Sequence, residues 1–327
     1  MQELNTLMIN KAVELLENGT VNRVIGWKAG EFYYDNTPAT FTNAEEVKQL
    51  VYNGFCGANL SKYLVRESKK EGKVLVFLKP CDTYSFNQLV KETRIKRENV
   101  YVVGIECQGH LNIEKIKEQG AEGVVGIQEN GNEILVNTLY GDVNLVKGEV
   151  MLEKCLSCKS KKHVAYDELL VINEMAEVDS NLRFSKVIEL EKMTADERFA
   201  FWKSELSKCI RCNACRNVCP ACTCTHCVFD NPESTIAAKA NDDKFEEKLF
   251  HVIRSFHVAG RCTDCGECSR VCPQNIPLHL LNRKFIKDID NLYGEYQAGE
   301  TAEGKTPLTS YTESDAEPGE VVNGEAK

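Results

Sequence analysis

Two cysteine runs constrain this chain more than any other feature of it. Cys209-Ile-Arg-Cys212-Asn-Ala-Cys215-Arg-Asn-Val-Cys219-Pro220 is answered by Cys262-Thr-Asp-Cys265-Gly-Glu-Cys268-Ser-Arg-Val-Cys272-Pro273. Each has the ligand spacing of a bacterial ferredoxin, in which three thiolates wrap one iron-sulfur cube and the fourth, ahead of Pro, ligates the other. On that rule one 4Fe-4S cluster takes Cys209, Cys212, Cys215 and Cys272, and a second takes Cys262, Cys265, Cys268 and Cys219. Two residues between ligands let the chain curl around a cube face with backbone N–H groups toward its sulfides. Pro220 and Pro273 then fix φ and turn the chain away. A pair of zinc sites is the competing assignment, but zinc is not usually served by two four-cysteine runs that end in Cys-Pro.

The remaining composition narrows the class. At 327 residues the chain is long enough for two domains, and 43% hydrophobic residues allow a sizeable core. A net charge of −9 leaves no basic footprint for nucleic acid and argues against an anionic membrane surface. No apolar run approaches the roughly 20 residues that span a bilayer. The start, Met1-Gln-Glu-Leu-Asn-Thr-Leu, has neither a signal-peptide pattern nor a twin-arginine leader. Sixteen cysteines in such a chain are better understood as metal ligands than as disulfides, which places the expected setting in a reducing, anaerobic cytoplasm.

Taken in order, the chain predicts an α/β N-terminal domain with a partly parallel sheet, followed by a mostly α-helical dicluster ferredoxin domain. Residues 3 to 17 carry Leu4, Leu7, Met8, Ala12, Leu15 and Leu16 at helical spacing. Val21 to Trp27 reads as a strand with a return at Gly30 to Tyr34, and Thr42 with Glu45 as a capping box for a helix through Val51. Val74–Leu78, a helix from Thr83 to Thr93 and Val100–Ile105 make a parallel strand–helix–strand unit. Cys81 and Cys107 then follow strand C-termini, the edge where open α/β sheets bind ligands. Short strands are expected at Gly123 to Ile127, Ile134 to Leu139 and Val143 to Val146. The capping box Thr194 to Glu197 opens a helix that delivers Cys209, and helices at Lys244 to His257 and Leu278 to Leu292 frame the clusters. This gives domains at 1–150 and 151–298, with a disordered acidic tail at 299–327.

Five further cysteines neighbour the ferredoxin runs. Cys155/Cys158 and Cys224/Cys227 are two Cys-x-x-Cys pairs that can close a third metal site, with Cys222 as an alternate ligand. A third 4Fe-4S cluster and a structural zinc both suit four thiolates, and spacing does not separate them. In the N-terminal domain, Cys81 follows Lys79-Pro80 at a predicted helix start, where the macrodipole and a nearby ammonium would depress its pKa. Lys79, Cys81 and Cys107 are therefore candidate cofactor contacts, against the plainer alternatives of a solvated lysine and inert buried thiols. No glycine-rich nucleotide fingerprint occurs, and the six histidines show no metal-ligand spacing.

Lys79-Pro80-Cys81-Asp82 and Gly104-Ile-Glu-Cys107 resemble the β-subunit family of deazaflavin-reducing hydrogenases and formate dehydrogenases. Cys155-Leu-Ser-Cys158 with Val164-Ala-Tyr-Asp167 resembles the cluster-ligand segment of the formate dehydrogenase members. His257-Val-Ala-Gly-Arg261-Cys262 and Ile276-Pro277-Leu278 resemble the helical dicluster module of heterodisulfide reductase C subunits. The resemblance implies a hetero-oligomeric, cytosolic electron-transfer subunit. It would link a formate dehydrogenase or hydrogenase catalytic subunit to a heterodisulfide-reductase-like flavoprotein. The alternative it implies is an FAD-containing β subunit that itself exchanges hydride with a deazaflavin or nicotinamide carrier. Residues 1–150 are short and glycine-poor for that second task.

Overall fold

The computed structural model describes residues 2–173, 179–231 and 244–308. The acidic tail expected from residue 299 lies from 309 onward outside the described residues. Two compact units emerge, Met1–Thr83 with Ile95–Leu182, and Tyr84–Arg94 with Arg183–Lys327.

The first unit is built on a five-stranded sheet ordered β2-β1-β3-β4-β8. Its strands are β1 (Arg23–Ala29), β2 (Asn36–Phe41), β3 (Val74–Leu78), β4 (Val100–Ile105) and β8 (Glu168–Leu170). β1, β3, β4 and β8 run parallel, and β2 closes one edge antiparallel to β1. β3 is buried at every position, as a central strand covered on both faces must be. The opening helix Gln2–Glu17 buries Leu4, Met8, Ala12 and Leu15, one helical stripe. A separate antiparallel sheet of β5 (Val124–Asn130), β6 (Glu133–Thr138) and β7 (Val143–Val146) has its own core of Val124, Ile134, Val136 and Val150.

Local turn chemistry moved several boundaries. The strand that returns beside β1 begins at Asn36, not Gly30, because Gly30 and Asp35 close a turn through their backbones. The helix expected from Thr42 through Val51 is a single turn, Ala44–Val47. Asn43 caps it by accepting from the Glu46 amide, while the Glu46 carboxylate accepts from Thr42 N–H, so the box is one residue later than expected. β8, which the sequence did not announce, carries the first unit well past residue 150.

The second unit is helical. Ala195–Leu206 starts with the complete Thr194/Glu197 capping box, and Lys244–Val258 and Leu278–Tyr293 flank the cysteine runs. Its core joins Leu206, Phe250, Ile276 and Leu278 to the cysteines Cys215 and Cys268. Among the described residues no helix is long and apolar enough to cross a membrane.

Candidate metal centres

The two ferredoxin runs fold alike. Arg211 and Asp264, each two residues after the first cysteine of its run, both adopt positive φ (50° and 55°). So do Asn213 and Gly266, each directly after the second cysteine (63° and 67°). L-residues rarely adopt this conformation, so its repetition marks the curl that wraps each Cys-x-x-Cys around a common centre. It also aims amides at sulfur: the Arg211 N–H donates to Cys209 Sγ at 3.3 Å, and the Asp264 amide donates to Cys262.

Of these left-handed residues, Arg211 and Asp264 are held by buried ion pairs. Arg211 Nε donates to Glu247 Oε2 at 2.8 Å and its guanidinium lies over the Phe250 ring. Asp264 accepts from Arg283 Nε at 2.8 Å and from Arg183 Nε at 2.9 Å. The helices therefore fix the loops, and the loops fix the thiols.

Cys209, Cys212, Cys215 and Cys272 line one cavity, with Phe250, His251 and Ile276 among its walls. This is a set of three thiols from the first run and one from the second. In the complementary set, Cys219 and Cys265 act on the Cys262 thiol, and Cys219 also acts on Cys268. Burial pushes Cys209 to about 12 and Cys268 to about 11, and raises Cys215 and Cys262 as well. Clustered thiols that resist ionisation by themselves are suited to a cationic metal core, which deprotonates its ligands.

The donor geometry bears on which metal. Among the described residues, the one group of three or more metal-type side chains whose ligand atoms all fall within 4.8 Å of one another is Cys209, Glu247 and His251. Zinc with four thiolates at roughly 2.3 Å needs sulfurs about 4 Å apart. Among the described residues no three thiols meet that spacing.

The first unit gathers four more thiols. Leu78 of β3 pairs with Gly104 of β4, and Cys81 and Cys107 each lie three residues beyond that pair. Register alone thus brings both to one sheet edge. Cys155 arrives there through a bridge between Leu111 and Met151, continued by the Leu152 N–H donating to His110 O. The His110 N–H then donates to Cys155 Sγ at 3.4 Å. Gly109 permits the approach with φ of +90°, where a Cβ would stand 2.2 Å from Met151 Cε. Cys158 follows, and Lys161 Nζ donates to Cys107 O at 2.8 Å, where all four thiols act on its charge. Burial works against that charge, but Cys107, Cys158, Cys155 and Cys81 outweigh it and raise its pKa.

The expectation for Cys81 is corrected here. Burial is the dominant influence and raises its thiol well above the ordinary value, with Asp82 adding to the rise; Lys154 and Lys79 offset only part of it. The helix Pro80–Lys91 does begin at this point, but its N-terminus faces protein rather than water. Cys155 is likewise pushed up to about 11 by burial. Lys79 is not solvated. It is wholly buried, 2.7 Å from Asp82 Oδ2, donates to Ala58 O at 2.7 Å and sits over the Trp27 ring. His110, between Cys107 Sγ at 3.7 Å and Gly54 O at 3.2 Å, is held neutral by burial and by Lys79, Lys154 and Lys161. Four thiols with three nearby ammonium groups suit an anionic metal–thiolate centre.

Cys222, Cys224 and Cys227 belong to the second unit, and Cys155 and Cys158 to the first. The Cys222 amide donates to Cys219 O, Cys224 is exposed, and the Cys227 thiol engages Arg216. Sequence reasoning overlooked His110, Lys154 and Lys161. It also overlooked the buried stripe Glu247, His251 and Arg254, although charge on the core face of an amphipathic helix was a visible signal.

Residues 205–276 match the 4Fe-4S dicluster domain family. The chain is 25% identical over 343 residues to F420-dependent formate dehydrogenase subunit beta of Methanocaldococcus jannaschii, spanning 85% of this chain and 88% of that one. It is 24% identical over 279 residues to F420-dependent formate dehydrogenase 1 subunit beta of Methanococcus maripaludis, spanning 66% and 71%. A chain of the F420-reducing [NiFe] hydrogenase complex from Methanosarcina barkeri aligns with TM-score 0.39 and 13% identity, over 63% of this chain and 89% of that one. The chain is thus similar over most of its length to F420-dependent formate dehydrogenase β subunits, and its helical C-terminal region matches the 4Fe-4S dicluster domain family.

Proposed function

We propose that this chain is a three-cluster electron relay in a formate dehydrogenase- or hydrogenase-like complex of the cytoplasm. Two 4Fe-4S clusters would be held by Cys209, Cys212, Cys215 and Cys272, and by Cys262, Cys265, Cys268 and Cys219. The third would be held by Cys81, Cys107, Cys155 and Cys158. The observation that supports this is the shared sheet edge of Cys81 and Cys107, with Cys155 accepting from the His110 amide and all four thiols acting on the Lys161 charge. It gives the α/β unit a metal centre of its own, so both units bear redox groups. Backbone amides and the ammonium groups of Lys154 and Lys161 would set the potential of that centre. A heterodisulfide-reductase-like flavoprotein is the proposed partner at the other end of the relay.

One observation favours the flavin alternative. The first unit contains a cavity of about 450 Å³ lined by Tyr33, Tyr52 and Phe55, aromatic walls that suit a planar ring. Its one charged lining residue, however, is Glu129, paired with Lys147 at 2.6 Å, so the lining itself offers no lysine or arginine to a dinucleotide's diphosphate. The relay is therefore preferred.

The test is anaerobic mixing of this chain with a formate dehydrogenase catalytic subunit. Formate should bleach the visible iron-sulfur absorbance, and an added flavoprotein acceptor should restore it. Bleaching by dithionite but not by formate would count against the relay. Stoichiometric tightly bound flavin, reduced before the clusters, would favour the alternative.

A further inference from the structure

Arg254 sits on the core face of the Lys244–Val258 helix and is 2% exposed. Its neighbours on that face, Glu247, Phe250 and His251, are buried too. Nε, Nη1 and Nη2 are all buried, and none has an oxygen or nitrogen acceptor. A guanidinium has five donors and no way to shed its charge, so burying one without a carboxylate is costly unless another anion compensates. The other arginines beside the cysteine runs have carboxylates: Arg211 has Glu247, Arg283 has Asp264, and Arg261 has Glu92. What faces Arg254 is sulfur. Burial opposes its charge, but Cys268, Cys215, Cys219 and Cys222 outweigh that and hold its pKa up.

The identity of those sulfurs is informative. Cys215 belongs to the first proposed cluster, and Cys268 and Cys219 to the second. One cation therefore lies among ligands of both. A cube bound by four thiolates is an anion, and reduction adds a further negative charge to it. A fixed positive charge in a dry interior stabilises the reduced form more than the oxidised one, and water would screen it little.

Resting on the two ligand sets proposed above, we infer that Arg254 is a charge-compensating residue shared by both dicluster cubes, and that it raises the reduction potential of each. It acts without ligating iron. A single charge would move both potentials in the same direction.

The experiment is potentiometric titration with EPR detection on the full chain, wild type against Arg254→Gln, with iron and sulfide measured first. The expected result is unchanged iron and a shift of both midpoint potentials to more negative values. Unchanged potentials, or a shift confined to one cluster, in a fully loaded variant would overturn the inference. If Arg254→Gln fails to hold its clusters, Arg254→Lys decides. Its ammonium keeps the charge, so it should restore iron and sulfide and leave both potentials near the wild-type values, and loss of the clusters in this variant as well would overturn the inference. An error in the ligand sets would show separately, as the wrong cluster lost in the cysteine variants described below.

Discussion

At the scale of single residues, the thiols divide by what surrounds them. Cys219 and Cys272 are the ones whose assignment crosses between runs. Replacing Cys272 with Ser is expected to damage the cluster of Cys209, Cys212 and Cys215 and to spare the other, and Cys219→Ser should do the reverse. EPR of the reduced variants checks this, and loss of the cluster in the same run would refute the crossed sets. Cys56 is a thiol of another kind: fully buried, accepting from the Asn53 amide, and pushed by burial to about 12. Because its folded value is raised, the unfolded chain releases this proton first. The associated stability is complete below the ordinary thiol value near 9.0 and drains away as pH rises toward about 12. Urea denaturation of wild type and Cys56→Ala across that window should show a steeper decline in wild type, by up to about 1.4 kcal/mol per pH unit.

At the scale of elements, local grammar carried a good deal. The Thr194/Glu197 box was visible in four residues, and both reciprocal bonds are made. Thr194→Ala should cost about 1 kcal/mol, measured by chemical denaturation, and should loosen the helix that delivers Cys209. β3, β4 and the helix between them were legible because an unbroken apolar run followed by Pro has few other uses. The capping box near Thr42 was misplaced by one residue because Asn43 and Thr42 are both competent caps, and sequence does not rank adjacent candidates. β8 was invisible: three residues, Glu168–Leu170, become a strand only because β4 offers them an edge.

At the scale of the molecule, the ferredoxin module was legible because its ligands are local and their spacing is the geometry of the cube. The first-unit centre was not. Its cysteines are spread over positions 81 to 158, and only the parallel register of β3 and β4 and the Leu111–Met151 bridge bring them together. Proximity in sequence suggested that Cys155 and Cys158 pair with Cys224 and Cys227, and the α/β unit offers Cys81 and Cys107 as the other choice. Likewise, a helix start with a nearby lysine suggested a reactive Cys81, and burial reversed that. Tertiary packing decided the matter of Cys81.

The measurement that tests the relay most directly is iron, zinc, acid-labile sulfide and flavin per chain on protein purified without oxygen, for wild type, Cys155→Ser and Cys224→Ser. Three clusters predict about twelve irons with matching sulfide in wild type, about eight in Cys155→Ser, and no loss in Cys224→Ser. About eight irons with one zinc in wild type, or iron lost from Cys224→Ser and retained in Cys155→Ser, would contradict a third cluster in the α/β unit.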